Sequence, residues 1–346
     1  MKPGPSWNEI APDQWMRDWD VFEKAMNCRT GAVPGFAQYT IAAGAILSDE
    51  TVTIEDVKEA WLATRYAHPM LGCQLTDSGF YYKEPTEAEV QKWVQATFKV
   101  NNSGKSGREL ATVVAPPKTG ELYFIPGRNE LFLQRFEHEF TEAETSTIVK
   151  RCKAKGLTVT AAVIAAAAIA TLEHSGEESG NVDTVLPVSM RNTVPSPYNS
   201  PAHALTVYAI SPHSSIPLNT STSLESLGAK IKSIYSSWID DEDNLAAVIL
   251  ATEMAVEHAL NAKIATGNKP LSASVLVSSL GIAERHLSEP INDFWFNMTK
   301  ASEKVHLFVY TAKAQLRLAL CYNTRFHELE SIKLFTNMLV RHLVTD

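Results

Sequence analysis

Residues 137–162 read EHEFTEAETSTIVKRCKAKGLTVTAA and decide the organisation of the second half of the chain. Thr141, followed three residues later by Glu144, is the pattern of a capping box, so a helix is predicted from Glu142 to Lys155. A glycine ends that helix, and Thr158 opens a second one whose alanines permit close packing against a neighbouring element. The stretch therefore predicts two consecutive helices, the second of them buried.

Working outward, short apolar runs alternate with helical patterns along the chain. Strands are predicted at Phe36 to Leu47 and in a hairpin formed by His306 to Tyr310 and Leu316 to Tyr322. Trp15 to Met26 shows helical spacing, and Pro212 to Thr222 is expected to be a loop. The mixture predicts an α/β fold with a two-layer architecture of mixed sheets and helices.

Composition limits the class of protein. The chain has 346 residues, 45% of them apolar, which is enough for a large core and two lobes. The net charge of −8 argues against binding to nucleic acid or to an anionic membrane. The four cysteines lie far apart, so no metal site is expected. The N-terminus lacks the apolar run of a signal peptide and Val159 to Leu172 is too short to cross a bilayer, which favours a cytoplasmic protein.

Several familiar catalytic patterns are absent from the sequence. There is no Gly-x-Ser-x-Gly elbow, Walker loop, Gly-x-Gly-x-x-Gly or His-Glu-x-x-His. Hydrolase, nucleotidase, dinucleotide-binding and zinc-protease functions therefore have no support.

Five segments occur in the order expected of one family. They are Thr158-Val159-Thr160-Ala161-Ala162, Leu186-Pro187-Val188-Ser189-Met190-Arg191, Val275 to Gly281, Asp293-Phe294-Trp295-Phe296 and Tyr322 to Phe326. Together they resemble the chloramphenicol acetyltransferase superfamily, of the fungal trichothecene and alcohol O-acetyltransferase type. Plant BAHD acyltransferases and the condensation domains of nonribosomal peptide synthetases are similar. The helix ending Arg65-Tyr66-Ala67-His68-Pro69 resembles that of the family's first lobe.

The resemblance implies a pseudo-dimer of two similar lobes with a tunnel between them. The N-terminal lobe is expected at residues 1–136, shortened, and the C-terminal lobe, including the crossover, at residues 137–346. An acyl-CoA, with acetyl-CoA preferred, enters as co-substrate, and no bound cofactor is expected. The partner is a small-molecule natural product with a hydroxyl group, and the protein is expected to act as a monomer.

The family's His-His-x-x-x-Asp-Gly motif, which supplies the general base, is not recognisable here. In relatives it follows a strand similar to Leu131 to Gln134, whereas in this chain Gln134 continues almost directly into Glu137, so the block that holds it is predicted to be lost. Two interpretations stay open. Either His138 is the base of a degenerate motif in which Glu142 replaces Asp and Ala143 replaces Gly, or this stretch begins the crossover helix and His138 is a solvated residue at a strand end.

Further residues gain a role from the resemblance. Arg191 matches the arginine that holds the motif aspartate, so with that partner missing it is expected to find another acid or to face solvent. Ser278 and Ser279 lie on the strand that lines the tunnel in relatives, where a hydroxyl can donate to an oxyanion, although such hydroxyls are equally common without function. Asp293 and Trp295 resemble a structural loop near the tunnel mouth.

Three functions follow as hypotheses. The first is an O-acyltransferase of secondary metabolism that transfers an acetyl group from CoA to a natural-product hydroxyl. The second is a diverged acyltransferase fold that binds a polyketide or terpenoid intermediate and cyclises or isomerises it. The third is an inactive truncated relic, which should expose apolar surface and aggregate.

Overall fold

The computed structural model describes residues 6–20, 23, 40–110, 120–128, 130–131, 136–185, 188–191, 194–196, 199–200, 209–210, 213–237, 247, 250, 254, 275–285, 291–299, 304–322 and 326–345. The strands of this part are β1 (Asn8–Ala11), β2 (Gln14–Asp18), β3 (Thr40–Leu47), β4 (Gln74–Leu75), β5 (Gly79–Lys83), β6 (Phe98–Val100), β7 (Leu122–Ile125), β8 (Glu130–Leu131), β9 (Phe136–Glu139), β10 (Ser179–Val185), β11 (Val188–Ser189), β12 (Ala209–Ile210), β13 (His213–Asn219), β14 (Leu276–Ile282), β15 (Ile291–Thr299), β16 (His306–Ala312) and β17 (Gln315–Cys321). The helices are α1 (Ile54–Ala67), α2 (Glu87–Thr97), α3 (Gly107–Leu110), α4 (Glu142–Ala154), α5 (Val159–Ser175), α6 (Leu224–Ser237) and α7 (Leu329–Val344).

Two of the sheets position the residues of interest. One has the order β14-β16-β17-β9, with β14 parallel to β16 and the other pairs antiparallel. The other has the order β15-β3-β8-β7-β6. Strand β15, although late in the sequence, pairs with β3 from the first part of the chain. The α/β prediction with mixed sheets is confirmed, while the lobe boundary between residues 136 and 137 stays a prediction.

The main core lies between the β14-β16-β17-β9 sheet and the helices α4, α5 and α7. Leu316, Leu318 and Leu320 alternate along β17 and place their side chains in this core, where each is at most 2% exposed. Burial of one such side chain contributes about 1.5–3 kcal/mol. Residues 161–167 of α5 are almost fully buried, since small alanine side chains let this helix approach its neighbours closely.

The predicted pair of helices is confirmed. The Glu144 N–H donates to Thr141 Oγ1 at 3.2 Å, and the Thr141 N–H donates to the Glu144 carboxylate at 2.8 Å, which completes the capping box. Helix α5 begins after Thr158 and is followed by Gly176, whose φ of 71° lies in the left-handed region that glycine tolerates best. Local sequence signals therefore set both helix starts.

Two expectations about secondary structure are wrong. Gln14–Asp18 is strand β2 rather than helix, because its residues pair with β5 and bring Trp15 opposite Tyr82; residues 21–22 and 24–26 of the expected helix lie outside the described part. His213–Asn219 is strand β13 rather than loop. It pairs with β10, and Ile216 and Leu218 alternate into the core. Tertiary pairing overrides the local signal in both places.

Candidate functional site

The β14-β16-β17-β9 sheet carries most of the residues considered for function. Its helix side is apolar, and its other side is covered in part by β15. Successive residues of a strand point to opposite sides, so adjacent residues of one strand meet different surroundings.

His138 lies on the edge strand β9, opposite Leu318 of β17. Its ring is half-buried and lies edge-on to the ring of Phe140, with 4.7 Å between the centroids. Burial lowers the pKa of His138, and the nearby carboxylates of Glu144 and Glu139 act in the opposite direction. The imidazole is therefore neutral at pH 7, so one of its nitrogens is able to accept a proton.

The residues that follow His138 belong to the helix. Glu142 and Ala143 form the first turn of α4, directly after the capping residue Thr141. Both are exposed, and this is the geometry expected for the start of a crossover helix. The block that holds the family's motif is predicted to be lost between Gln134 and Glu137. Gln134 and Arg135 lie outside the described residues, so this loss stays a prediction. The role of His138 stays a prediction.

A buried arginine on the other side of the sheet was missed by the sequence reading. Arg317 is 2% exposed, and its Nη1 donates to Asp293 Oδ1 and to the Phe294 carbonyl, both at 2.8 Å. Its Nε lies 3.7 Å from Glu139 Oε1. Burial alone would lower the pKa of Arg317, but the hydrogen bond and charge of Asp293 raise it, so the guanidinium stays charged. Its signal in the sequence is one charged residue within the apolar run QLRLALC of β17.

Asp293 and Trp295 lie on a strand and not, as expected, in a loop. Asp293 Oδ1 also accepts the N–H of Phe294 at 2.9 Å. Trp295 is fully buried opposite Gly44 of β3, where a Cβ atom would come within 2.0 Å of the indole. Only glycine leaves room for this ring. The Trp295 ring packs with Ile125 and Leu110 and so joins β15 to the first part of the chain.

The two serines point in different directions. Ser279 Oγ lies 2.9 Å from Thr160 Oγ1 at the start of α5, and both hydroxyl groups are partly buried. Ser278 is half-buried and occupies the next position of β14, so its side chain projects from the other side of the sheet. A role of either hydroxyl as an oxyanion donor stays a prediction.

Arg191 lies in the turn after β11 and is half-buried. Its backbone N–H donates to Ser189 Oγ at 3.4 Å, which tightens the turn. The expected ion pair between the Arg191 guanidinium and a substitute acid stays a prediction.

The predicted site residues do not form one cluster. His138 and Ser279 lie on the two edge strands of the sheet, with β16 and β17 between them. At the spacing of β-strands this separates their backbones by about 14 Å. Asp293 is joined instead to Arg317, on the side away from the helices. Val309 and Leu318, which lie between His138 and Ser279 on the same side of the sheet, are buried in the core, so one reacting group cannot contact both side chains.

Two further findings concern the described residues as a whole. Among them, no group of three or more histidine, cysteine or acidic side chains has the arrangement of a metal site. No single helix there is long and apolar enough to cross a membrane, although the bent pair of α4 and α5 passes the same test of length and composition.

The sequence family is shown by a match over more than half of the chain. The model of the phthiocerol/phthiodiolone dimycocerosyl transferase C-terminus family matches residues 131–320. The chain belongs to this family of acyltransferase-like proteins. The resemblance inferred from the order of the motifs is thereby confirmed.

Individual relatives point in the same direction. The chain is 26% identical over 199 residues to the O-acetyltransferase pigM of Monascus ruber, covering 55% of this chain and 38% of that protein. It is 28% identical over 197 residues to the azaphilone biosynthesis cluster protein M of Aspergillus terreus, covering 55% of this chain and 47% of that protein. The matches thus span less than half the length of these curated relatives.

The fold matches that of a solved acetyltransferase. The trichothecene 15-O-acetyltransferase TRI3 from Fusarium sporotrichioides superposes with a TM-score of 0.80 at 14% identity, and the match covers 98% of each chain. At this identity the likeness shows the fold alone. The fold is therefore that of the chloramphenicol acetyltransferase type predicted from the sequence.

Proposed function

We propose that this chain is an O-acyltransferase of secondary metabolism that transfers an acetyl group from acetyl-CoA to a hydroxyl of a natural product. The observation that carries the proposal is the family match over residues 131–320, together with relatives named for O-acetyl transfer and for an azaphilone cluster. The acceptor is a small organic molecule. We also propose that the protein acts as a monomer in the cytoplasm, where acetyl-CoA is available.

His138 is the proposed general base. A neutral imidazole on the edge strand accepts the proton of the acceptor hydroxyl while its oxygen attacks the thioester carbonyl carbon. The C–O bond forms as the tetrahedral oxyanion develops, and a hydrogen-bond donor within reach of the carbonyl oxygen stabilises it. The oxyanion then collapses and the C–S bond breaks. The imidazolium returns its proton to the departing thiolate, so the products are the acetyl ester and CoA.

A second candidate function rests on the residues after His138. Glu142 and Ala143 form the first turn of α4. They therefore do not form the acid-glycine pair that the family's motif would place after the base. This favours a fold that has lost acyl transfer and instead binds and cyclises or isomerises a polyketide or terpenoid. The two candidates differ in whether acetyl-CoA is consumed.

The test measures CoA release from acetyl-CoA with a panel of hydroxylated polyketide and terpenoid acceptors. The wild-type chain should release CoA with at least one acceptor, and His138→Ala should reduce the rate by about 10²- to 10⁴-fold. His174→Ala is the matched control, because His174 is bonded to Ser331 at the far end of α5 and should leave the rate unchanged.

The outcomes separate the possibilities. Undiminished transfer in His138→Ala would remove His138 as the base while leaving the acyltransferase function intact. If the wild-type chain acetylates no acceptor but converts one to an isomer of equal mass, the second candidate is favoured. Mass spectrometry of the acceptor distinguishes a mass gain of one acetyl group from an unchanged mass.

A further inference from the structure

A cavity of about 290 Å³ opens on the outer side of the helical layer, remote from the sheet. It is formed where the end of α4, the middle of α5, the start of α6 and the end of α7 meet. Leu157, Ile169 and Leu343 give it apolar walls, and Arg151 and Lys155 give it a basic rim. Its volume lies near the lower limit of known small-ligand sites, about 300 Å³.

Hydrogen bonds between distant parts of the chain hold the cavity open. Arg151 Nη1 donates to the Leu343 carbonyl at 3.1 Å, and its Nη2 donates to the Thr345 carbonyl at 2.8 Å. These bonds fix the end of α7 beside α4. Behind the cavity, Lys232 Nζ donates to the Gly156 carbonyl at 2.6 Å, which fixes α6 against the loop between α4 and α5. The cavity is therefore pre-formed, and ligand binding would need little free energy to order its walls.

The charge of the rim favours an anion. Arg151 and Lys155 are two cations in a protein whose net charge is −8, and Glu225 is the one carboxylate among the described residues that line the cavity. Glu225 pairs with Lys155, and this hydrogen bond lowers the pKa of Glu225. The rim thus already holds one carboxylate of the chain itself. An ammonium carries three N–H donors, so Lys155 can serve Glu225 and a second carboxylate together.

We propose that this cavity binds a small carboxylate whose compact apolar body rests on Leu157, Ile169 and Leu343. The carboxylate would contact Lys155 and lie near Arg151. The site is separate from the proposed base, because His138 precedes the start of α4 and the cavity lies at its other end. The thirteen residues of α4 span about 20 Å. The proposal does not depend on acyl transfer.

Isothermal titration calorimetry with benzoate tests the proposal, and benzamide serves as a neutral probe of nearly the same shape. Benzoate should bind at one saturable site, and benzamide at least ten-fold more weakly. Lys155→Met and Ile169→Trp should each weaken benzoate binding at least ten-fold, the first by removing the cation and the second by filling the cavity. Lys153→Met is the matched control and should leave benzoate binding unchanged, since Lys153 is an exposed lysine of α4 that does not line the cavity.

Three results would overturn the proposal: no saturable benzoate binding, equal binding of benzoate and benzamide, or unchanged benzoate binding in Ile169→Trp. Acetyl-CoA should not compete with benzoate. Competition would assign the cavity to the acyl donor and would also contradict a separate site. Failure of any of these tests leaves the CoA-release assay for the proposed function unaffected.

Discussion

The two sides of the β14-β16-β17-β9 sheet are built on different principles. On the helix side, Leu316, Leu318 and Leu320 are buried in a largely apolar core together with α4, α5 and α7. On the other side, one residue away along β17, Arg317 joins Asp293 of β15 and Glu139 of β9. Apolar burial thus stabilises the helix side, whereas the other side combines a smaller apolar cluster that includes Phe308 and Tyr310 with the hydrogen-bonded ion pair of Arg317 and Asp293.

The difference indicates two roles: apolar burial stabilises the sheet, and the ion pair orients one strand against another. Apolar packing stabilises the sheet in proportion to the area buried and has no preferred direction, so it does not select a single partner for each side chain. The hydrogen bonds of Arg317 to Asp293 and to the Phe294 carbonyl fix β17 against β15, because a guanidinium donates in a rigid plane, while Glu139 of β9 adds a negative charge 3.7 Å from Arg317 Nε. Since β15 pairs with β3, these bonds join the sheet that carries His138 to the first part of the chain.

The largest effect on stability should come from Leu318→Ala. This side chain is fully buried among the helices, so its truncation leaves a cavity and should lower the free energy of unfolding by about 2–5 kcal/mol. Urea denaturation followed by circular dichroism measures the change. A loss below about 1 kcal/mol would contradict the account of a tightly packed helix side.

Arg317→Met should have the next largest effect. Loss of the guanidinium leaves the carboxylates of Asp293 and Glu139 without their cation. The free energy of unfolding should fall by about 2–4 kcal/mol, less than for a fully buried pair because both acids keep some contact with water. The double variant Arg317→Met with Asp293→Asn should regain part of this loss, because it removes one stranded charge. Equal urea midpoints for the single and double variants would show that the unpaired charge of Asp293 is not what destabilises Arg317→Met.

The smallest effect concerns pH. The pKa of His138 in the folded chain lies below the value of about 6.5 expected in the unfolded chain, so the unfolded chain takes up this proton more readily. Stability should therefore fall as the pH drops below about 6.5 and level off once the pH is below the folded pKa. Melting temperatures between pH 7 and pH 5 measure this. His138→Gln should flatten that part of the profile, and an unchanged slope would show that His138 does not cause it.

The secondary structure could be predicted where local chemistry is strong. The Thr141 capping box and the alanine helix after Thr158 depend on residues a few positions apart, so the sequence specifies them directly. Strand β2 could not be predicted in this way, because Gln14–Asp18 takes an extended form only through pairing with β5. The same holds for β13, whose partner β10 lies almost thirty residues away.

The candidate site was predicted only in part. The order of motifs identified the family, and it selected Asp293 and Trp295 as structural residues. It did not find Arg317, because a single arginine in an apolar strand gives no indication of its partner. Nor could it show that His138 and Ser279 occupy opposite edges of one sheet.

By itself, the sequence determined the α/β class, the helix starts and the family, since each depends on residue types and their spacing along the chain. Only the tertiary structure decided which side of the sheet each residue faces, that Arg317 joins three strands, and that Gly44 makes room for Trp295. Those contacts link residues far apart in the chain. Their geometry follows from strand order and register, which no local pattern specifies.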